Sequence, residues 1–327
     1  MTIVRASSEC SFRVHGVVVG VRAREPAVID AMELRLRDFR DEAAADPVLR
    51  FEFVANGPLN PAPPPGLARP VYDTPHGTLH YFPDVDVLRG RLGGVELRCE
   101  AGRGVAFFRS HAYAGHDLYL ATHPLATISL MELLERRGLY ALHAACLAIG
   151  PGDGVLLAGA SGAGKSTLAL ALAHAGLRFL SDDIVFLFPD PESDAVRVLG
   201  FADTVGLTDY ALPRFPALQA LRDAPPPAGF PKRLHRIEDL FGAPALPACQ
   251  PRALVFPAVA PHEPSTIEPL DAGDALLRLV PDVLLTDPAA TQAHLRAIAA
   301  LLKQVRCYTL RSGTDLERAA ELVAALV

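Results

Sequence analysis

Apolar residues follow two different patterns along this chain. Up to about residue 120 they come in short runs, several alternating with polar residues. From about residue 140 onward, continuous apolar runs interleave with stretches of helical spacing. Strict alternation predicts half-buried strands, and continuous short runs predict strands covered on both faces.

In the first part, "SFRVHGVVVGV" (11–21) predicts one strand. "PAVIDAMELRLRDF" (26–39) repeats apolar residues at helical spacing, with Pro26 near its start, and predicts a helix. "VLRFEFV" (48–54) is a strand again. "GPLNPAPPPGLARP" (57–70) carries six prolines, so it predicts a loop or linker rather than a helix or central strand. "GTLHYF", "GVELRCE" and "GVAFFR" then predict an antiparallel sheet. This part reads as a small, sheet-rich α+β domain with no catalytic constellation of its own.

"HPLATISLMELLERRGL" (123–139) predicts a helix. Pro124 suits its first turn, Leu125, Ile128, Met131 and Leu134 share a face, and Gly138 suits the C-terminal cap. A domain boundary is expected at 122/123. "YALHAACLAI" (140–149) predicts one strand. The order from there is strand "GVLLAG", a glycine-rich loop, a helix, strand "LRFLS", two aspartates and strand "IVFLF". After a second proline-rich loop, "APPPAGFPKR" (224–233), come strand "RALVFPAV" (252–259), helices over 271–281 and 288–303, strand "QVRCYTL" and a last helix, "TDLERAAELVAAL". Strands interleaved with helices predict an α/β domain over 123–327.

The chain has 327 residues, half of them hydrophobic, which suffices for two cores. Its net charge is -6, and no basic tail or Lys/Arg stripe stands out, so nucleic acid is not expected as the main partner. Five cysteines are scattered, with no CxxC pair; this predicts reduced, buried thiols rather than a zinc site. The start lacks a signal-peptide pattern, and no apolar run reaches the length of a membrane span. A soluble cytoplasmic protein without membrane partners is the expectation.

The strongest chemical signal is "GASGAGKS", residues 159–166, which fits GxxxxGK[ST] at every fixed position. Glycines at such spacing let backbone N–H groups turn inward around a phosphate. Gly159, Ser161, Gly162, Ala163, Gly164, Lys165, Ser166 and Thr167 are the expected nucleotide contacts. Lys165 offers a cation to the β and γ oxygens, and Ser166 a hydroxyl to Mg²⁺. The helix that follows, "STLALALAHAG", is apolar on nearly all sides, as expected of one packed on a sheet. ATP with Mg²⁺ is the expected ligand.

Asp182 and Asp183 lie between two apolar runs, one short helix after the loop. An acidic pair this close suits a compact phosphotransferase, with one carboxylate taking the proton of a hydroxyl and the other serving the metal. Ser-Asp-Asp is equally good chemistry for a hairpin turn. His143 sits in the apolar run before the loop, where a satisfied core histidine is also at home.

Residues 142–183, "LHAACLAI…GASGAGKSTLALALAHAGLRFLSDD", resemble the kinase domain of the bacterial HPr kinase/phosphorylase family. That family carries a histidine on the strand before its GxSGxGKS loop, then one helix, then an Asp-Asp pair. The resemblance implies an α/β P-loop kinase domain of the HPr kinase C-terminal type, related to phosphoenolpyruvate carboxykinase, that phosphorylates a serine hydroxyl. It implies Asp182 as the base, Asp183 in support of metal or geometry, Ser166 and Asp183 as metal ligands, and His143 near Asp182 or the transferred phosphate. The pattern departs from the family downstream. "VRVLGFADTVGLTD" lacks the family's glycine-rich Glu/Arg segment; Asp203 is a candidate replacement acid, with an ordinary strand-end aspartate as the other reading. The layout is similar to that of shorter relatives, some of which phosphorylate a serine of a precursor peptide.

Lys232, Arg233, His235 and Arg236 form a local basic cluster after the second proline loop. Lys232 and Arg233 are candidate contacts to phosphate or acceptor, with the proline loop as a lid; a solvated helix start is the other reading. The function expected is an ATP-dependent kinase of a Ser/Thr hydroxyl on a peptide or small protein, within a possible homo-oligomer. The alternatives are a kinase of a free small-molecule hydroxyl and a nucleotide-binding switch or scaffold with weak ATPase activity.

Overall fold

The computed structural model describes residues 8–43, 46–55, 66–150, 152–193, 195–201, 205–207, 215, 233–284 and 286–327. The chain divides into two compact units. The described residues of the first lie within 1–137 and 284–291; those of the second lie within 138–226, 232–283 and 292–327. The helix expected to open the second domain therefore falls in the first unit, and the division comes at Gly138.

The first unit carries an eight-stranded sheet in the order β1-β2-β3-β8-β7-β6-β5-β4. Its strands are β1 (Ser8–Val14), β2 (Val17–Ala23), β3 (Leu49–Ala55), β4 (Arg69–Thr74), β5 (Gly77–Phe82), β6 (Val87–Leu92), β7 (Val95–Glu100) and β8 (Val105–Ser110). Residues 11–21 are not one strand. β1 and β2 form a hairpin in which Val14 pairs with Val17. The turn residues His15 and Gly16 both take positive φ, 48° and 89°, as the mirror-image hairpin turn requires. The sheet is also not wholly antiparallel: β3 runs parallel to both β2 and β8. The helix α1 (Pro26–Arg35) between β2 and β3 makes that parallel crossover possible.

The last helical stretch of this unit begins earlier than its proline suggests. It runs as α2 (Gly115–Leu120), a π-helical turn over Ala121–Leu125, and α3 (Ala126–Glu135). Pro124 thus lies inside the helix. A widened turn accommodates a residue with no N–H to donate. Gly138 then takes φ 79° just beyond the helix end.

The second unit is built on a nine-stranded sheet. Its strands are β9 (Tyr140–Leu142), β10 (Ala144–Ala148), β11 (Asp153–Ala158), β12 (Arg178–Ser181), β13 (Val185–Pro189), β14 (Val196–Gly200), β17 (Ala248–Val259), β18 (Thr266–Leu270) and β19 (Arg306–Ser312). β15 (Val205–Leu207) and β16 (Arg233–His235) pair apart from it. The helices are α4 (Lys165–His174), α5 (Ile237–Phe241), α6 (Ala272–Leu279), α7 (Pro288–Gln304) and α8 (Leu316–Ala324).

Alternate residues of the strands feed two cores. Cys146, Leu156, Leu254 and Cys307 pack with Ala275 and Leu279 of α6 and Ile298 and Leu301 of α7. Ala145, Leu147, Val155 and Val255 pack with Leu168 and Leu172 of α4 and Ala319 and Val323 of α8. Both faces are covered, which is why these strands read as unbroken apolar runs.

Candidate active site

The glycine-rich loop joins β11 to α4. Gly159, Gly162 and Gly164 take φ values of 136°, 84° and 95°, a region that L side chains rarely enter. Gly164 is the N-cap of α4, so the first N–H groups of the helix open towards the loop. Lys165 is buried at the start of α4, and its Nζ donates to the carbonyl oxygens of Gly159 (2.5 Å) and Ala160 (3.2 Å). A cation is thereby held inside a ring of backbone, beside a helix N-terminus that favours anions. Ser161 and Gly162 are exposed, and Ser166 and Thr167 half-buried. A nucleoside phosphate fits this arrangement of donors.

β11 lies between β10, antiparallel to it, and β17, parallel to it. Ala144 of β10 pairs with Ala158 of β11. His143 and Gly159 are thus the next residues on neighbouring strand ends. On the other side of β10, Cys146 pairs with Ser181 at the end of β12.

The apolar run 140–149 is broken at His143 into β9 and β10, and the run around the aspartates is broken at 182–184 into β12 and β13. Leu142 pairs with Val185 and Cys146 with Ser181, so one antiparallel register spans both breaks. β12 and β13 do not pair with each other. Asp182 and Asp183 therefore do not form a hairpin turn; they lie where the chain passes from one end of the sheet path to the other, opposite the similar crossing at His143.

His143 and Asp183 meet across these crossings, Nε2 to Oδ1 at 3.0 Å, with side chains 36% and 63% exposed. The resemblance implied His143 near Asp182 or the transferred phosphate, and Asp183 is the residue directly after Asp182. Asp182, the neighbouring residue, is half-buried. Among the described residues, no three His, Cys, Asp or Glu side chains gather to hold a metal by themselves. A Mg²⁺ ion here would depend on nucleotide phosphates together with Ser166 and an aspartate.

Lys232 and Asp203 lie outside the described residues, as does the proline loop before Arg233. Arg233 is described only as strand backbone in β16, paired with Leu207. Arg236 is turned to its own helix start, with Nε donating to Glu238 Oε1 at 2.6 Å.

Two residues that the sequence did not single out flank the site. Ser181 is buried, and its hydroxyl donates to the Phe201 carbonyl oxygen at 2.8 Å. Val259, at the end of β17, is 52% exposed, and its Cγ2 lies 3.4 Å from where a Cβ on Gly164 would stand. Neither had a local signal, because each acts through a contact distant in the chain.

No protein-family model matches the chain, and no curated protein does. Among solved structures, the chain is similar to the Hpr(Ser) kinase/phosphatase from Coxiella burnetii with a TM-score of 0.31 and 14% identity, over 57% of this chain and 93% of that chain. Among the described residues, no helix is long and apolar enough to cross a membrane.

Proposed function

We propose that this protein is a kinase that transfers the γ-phosphoryl group of ATP to a serine or threonine hydroxyl of a peptide or small protein. One observation carries the reading: the register of β12, β10 and β11 brings Asp182–Asp183, His143 and the start of the phosphate loop to adjacent strand ends.

Gly159 to Thr167 hold the phosphates through backbone N–H groups, and Lys165 exchanges its loop carbonyls for phosphate oxygens. Ser166 and Asp183 would hold Mg²⁺, which would supply positive charge against the phosphates. Asp182 accepts the acceptor's hydroxyl proton as the oxygen bonds to the γ-phosphorus and the bond to the β–γ bridging oxygen breaks, releasing ADP. His143 steadies Asp183. Lys232 and Arg233 belong to the proposal as contacts to phosphate or acceptor. The exposure of Asp183 favours a hydroxyl displayed on a chain over one enclosed with a small molecule.

The test follows γ-labelled phosphate from ATP into size-fractionated peptides and proteins, with wild type and Asp182→Asn side by side. Acid-stable label in a peptide or protein fraction that the variant fails to produce is the expected result. Label released only as free phosphate, equal in both, would remove Asp182 from catalysis and overturn the assignment.

A further inference from the structure

The point where Asp182 leaves the sheet is held by more than strand pairing. Three chain segments are laced together there. The Leu246 N–H donates to the Phe179 carbonyl oxygen at 2.6 Å, and the Gly200 N–H to that of Pro247 at 2.9 Å. The ends of β12 and β14 approach so closely that a Cβ on Gly200 would stand 2.7 Å from Leu180 O and 2.9 Å from Leu246 O. β12 and β14 are not neighbours in the sheet order, so no ladder of backbone bonds joins them.

Ser181 supplies a side-chain tie between them. It is 4% exposed, and its hydroxyl bonds to Phe201 O just past β14. Its backbone meanwhile pairs with Cys146 on β10. The residue immediately before Asp182 is thus fixed from both sides, and the next two residues carry the carboxylates.

We infer that Ser181 is a positioning residue. Its hydroxyl tie to Phe201 sets where the chain crosses between the two ends of the sheet path, and so sets Asp182 against the acceptor hydroxyl and Asp183 against His143. The part concerning Asp182 rests on the proposed kinase reading. The part concerning Asp183 does not.

Two readouts keep these apart. The first is transfer kinetics of Ser181→Ala, Ser181→Cys and Ser181→Thr, with ADP affinity measured alongside. A small misplacement of a reacting group costs up to about 100-fold in rate. The expected result for Ser181→Ala is a kcat lowered about 10- to 100-fold with ADP affinity unchanged, since the phosphate loop is untouched. Ser181→Cys, which keeps the shape but weakens the donor, falls between, and Ser181→Thr, which keeps the donor, recovers most of the rate. The second readout is the set of ring NMR chemical shifts of His143 at one fixed pH, assigned with His143→Gln. They move in Ser181→Ala and return in Ser181→Thr. Folded Ser181→Ala with wild-type kcat and unmoved His143 ring shifts would overturn the inference. A loss that Ser181→Thr fails to recover would overturn it too. A wild-type protein that transfers no phosphate would defeat the kinase reading, and the His143 ring shifts would still decide the positioning role.

Discussion

His143 Nε2 stands 3.0 Å from Asp183 Oδ1, although the two residues sit at crossings between different pairs of strands. The contact exists because one antiparallel register runs through both crossings. If the pair acts as a unit, its losses will not add. His143→Gln and Asp183→Asn are each expected to lower kcat by about 10- to 100-fold, and the double variant by little more than the worse single. Steady-state transfer kinetics of the four proteins check this; independent, multiplicative losses would show that the contact has no catalytic role.

The glycine-rich loop makes a sharper demand. Gly164 holds φ 95° at the N-cap of α4. Gly164→Ala would force a side chain into that conformation, at a cost of about 1–2 kcal/mol. A lowered Tm and weakened ADP binding are expected. Combining it with Val259→Ala, which empties the space facing Gly164, should not restore either property, because the strain lies in the backbone. Full recovery in the double variant would mean that crowding by Val259 was the cause.

In the first unit, fully buried Glu132 bonds to Arg136 at 2.7 Å and accepts a hydrogen bond from Thr286 at 2.8 Å. Burial pushes the Glu132 carboxyl above its usual range, with Arg136 and Thr286 opposing that rise. An acid with a raised folded pKa binds its proton more tightly when folded. Its contribution to stability is therefore greatest below the ordinary carboxylate pKa and declines as pH rises through the raised value. Glu132→Gln should remove that decline, seen as a smaller loss of Tm from mildly acidic to neutral pH than in wild type. Arg136→Ala leaves the carboxylate buried without its charge partner, and about 3–5 kcal/mol of destabilisation is expected at neutral pH. Chemical denaturation across pH measures both.

All five cysteines are buried. Burial raises the Cys10 thiol to about 11 and pushes Cys99 and Cys146 well above the usual value. Since the thiolate is the reactive form, native protein at mildly alkaline pH should react slowly with an aromatic disulfide reagent. Five equivalents should react promptly once it is unfolded. Rapid labelling of the native chain, mapped by mass spectrometry, would contradict the packing around the residue labelled.

Much of the local structure is legible in the sequence. The loop GASGAGKS announces its geometry because glycine positions and an apolar helix are short-range signals. The continuous apolar runs announced strands covered on both faces for the same reason. Other features depend on tertiary contacts, because the local pattern admits two outcomes. "SFRVHGVVVGV" carries one apolar run, and only the pairing of Val14 with Val17 turns it into a hairpin. Pro124 looks like a helix start, and only the packing of a longer helix draws it into a π turn.

By itself, then, the sequence determined the glycine-rich loop, the helix after it, the alternation of strands and helices, and which residue types could do chemistry. Tertiary structure decided which of those residues meet. That the aspartates form a crossing rather than a hairpin, that His143 interrupts a strand and faces Asp183, and that Ser181 reaches Phe201 all depend on strand order and register. Strand order and register follow from how both faces of the sheet are buried at once, a condition set by the whole core rather than by any short stretch of chain.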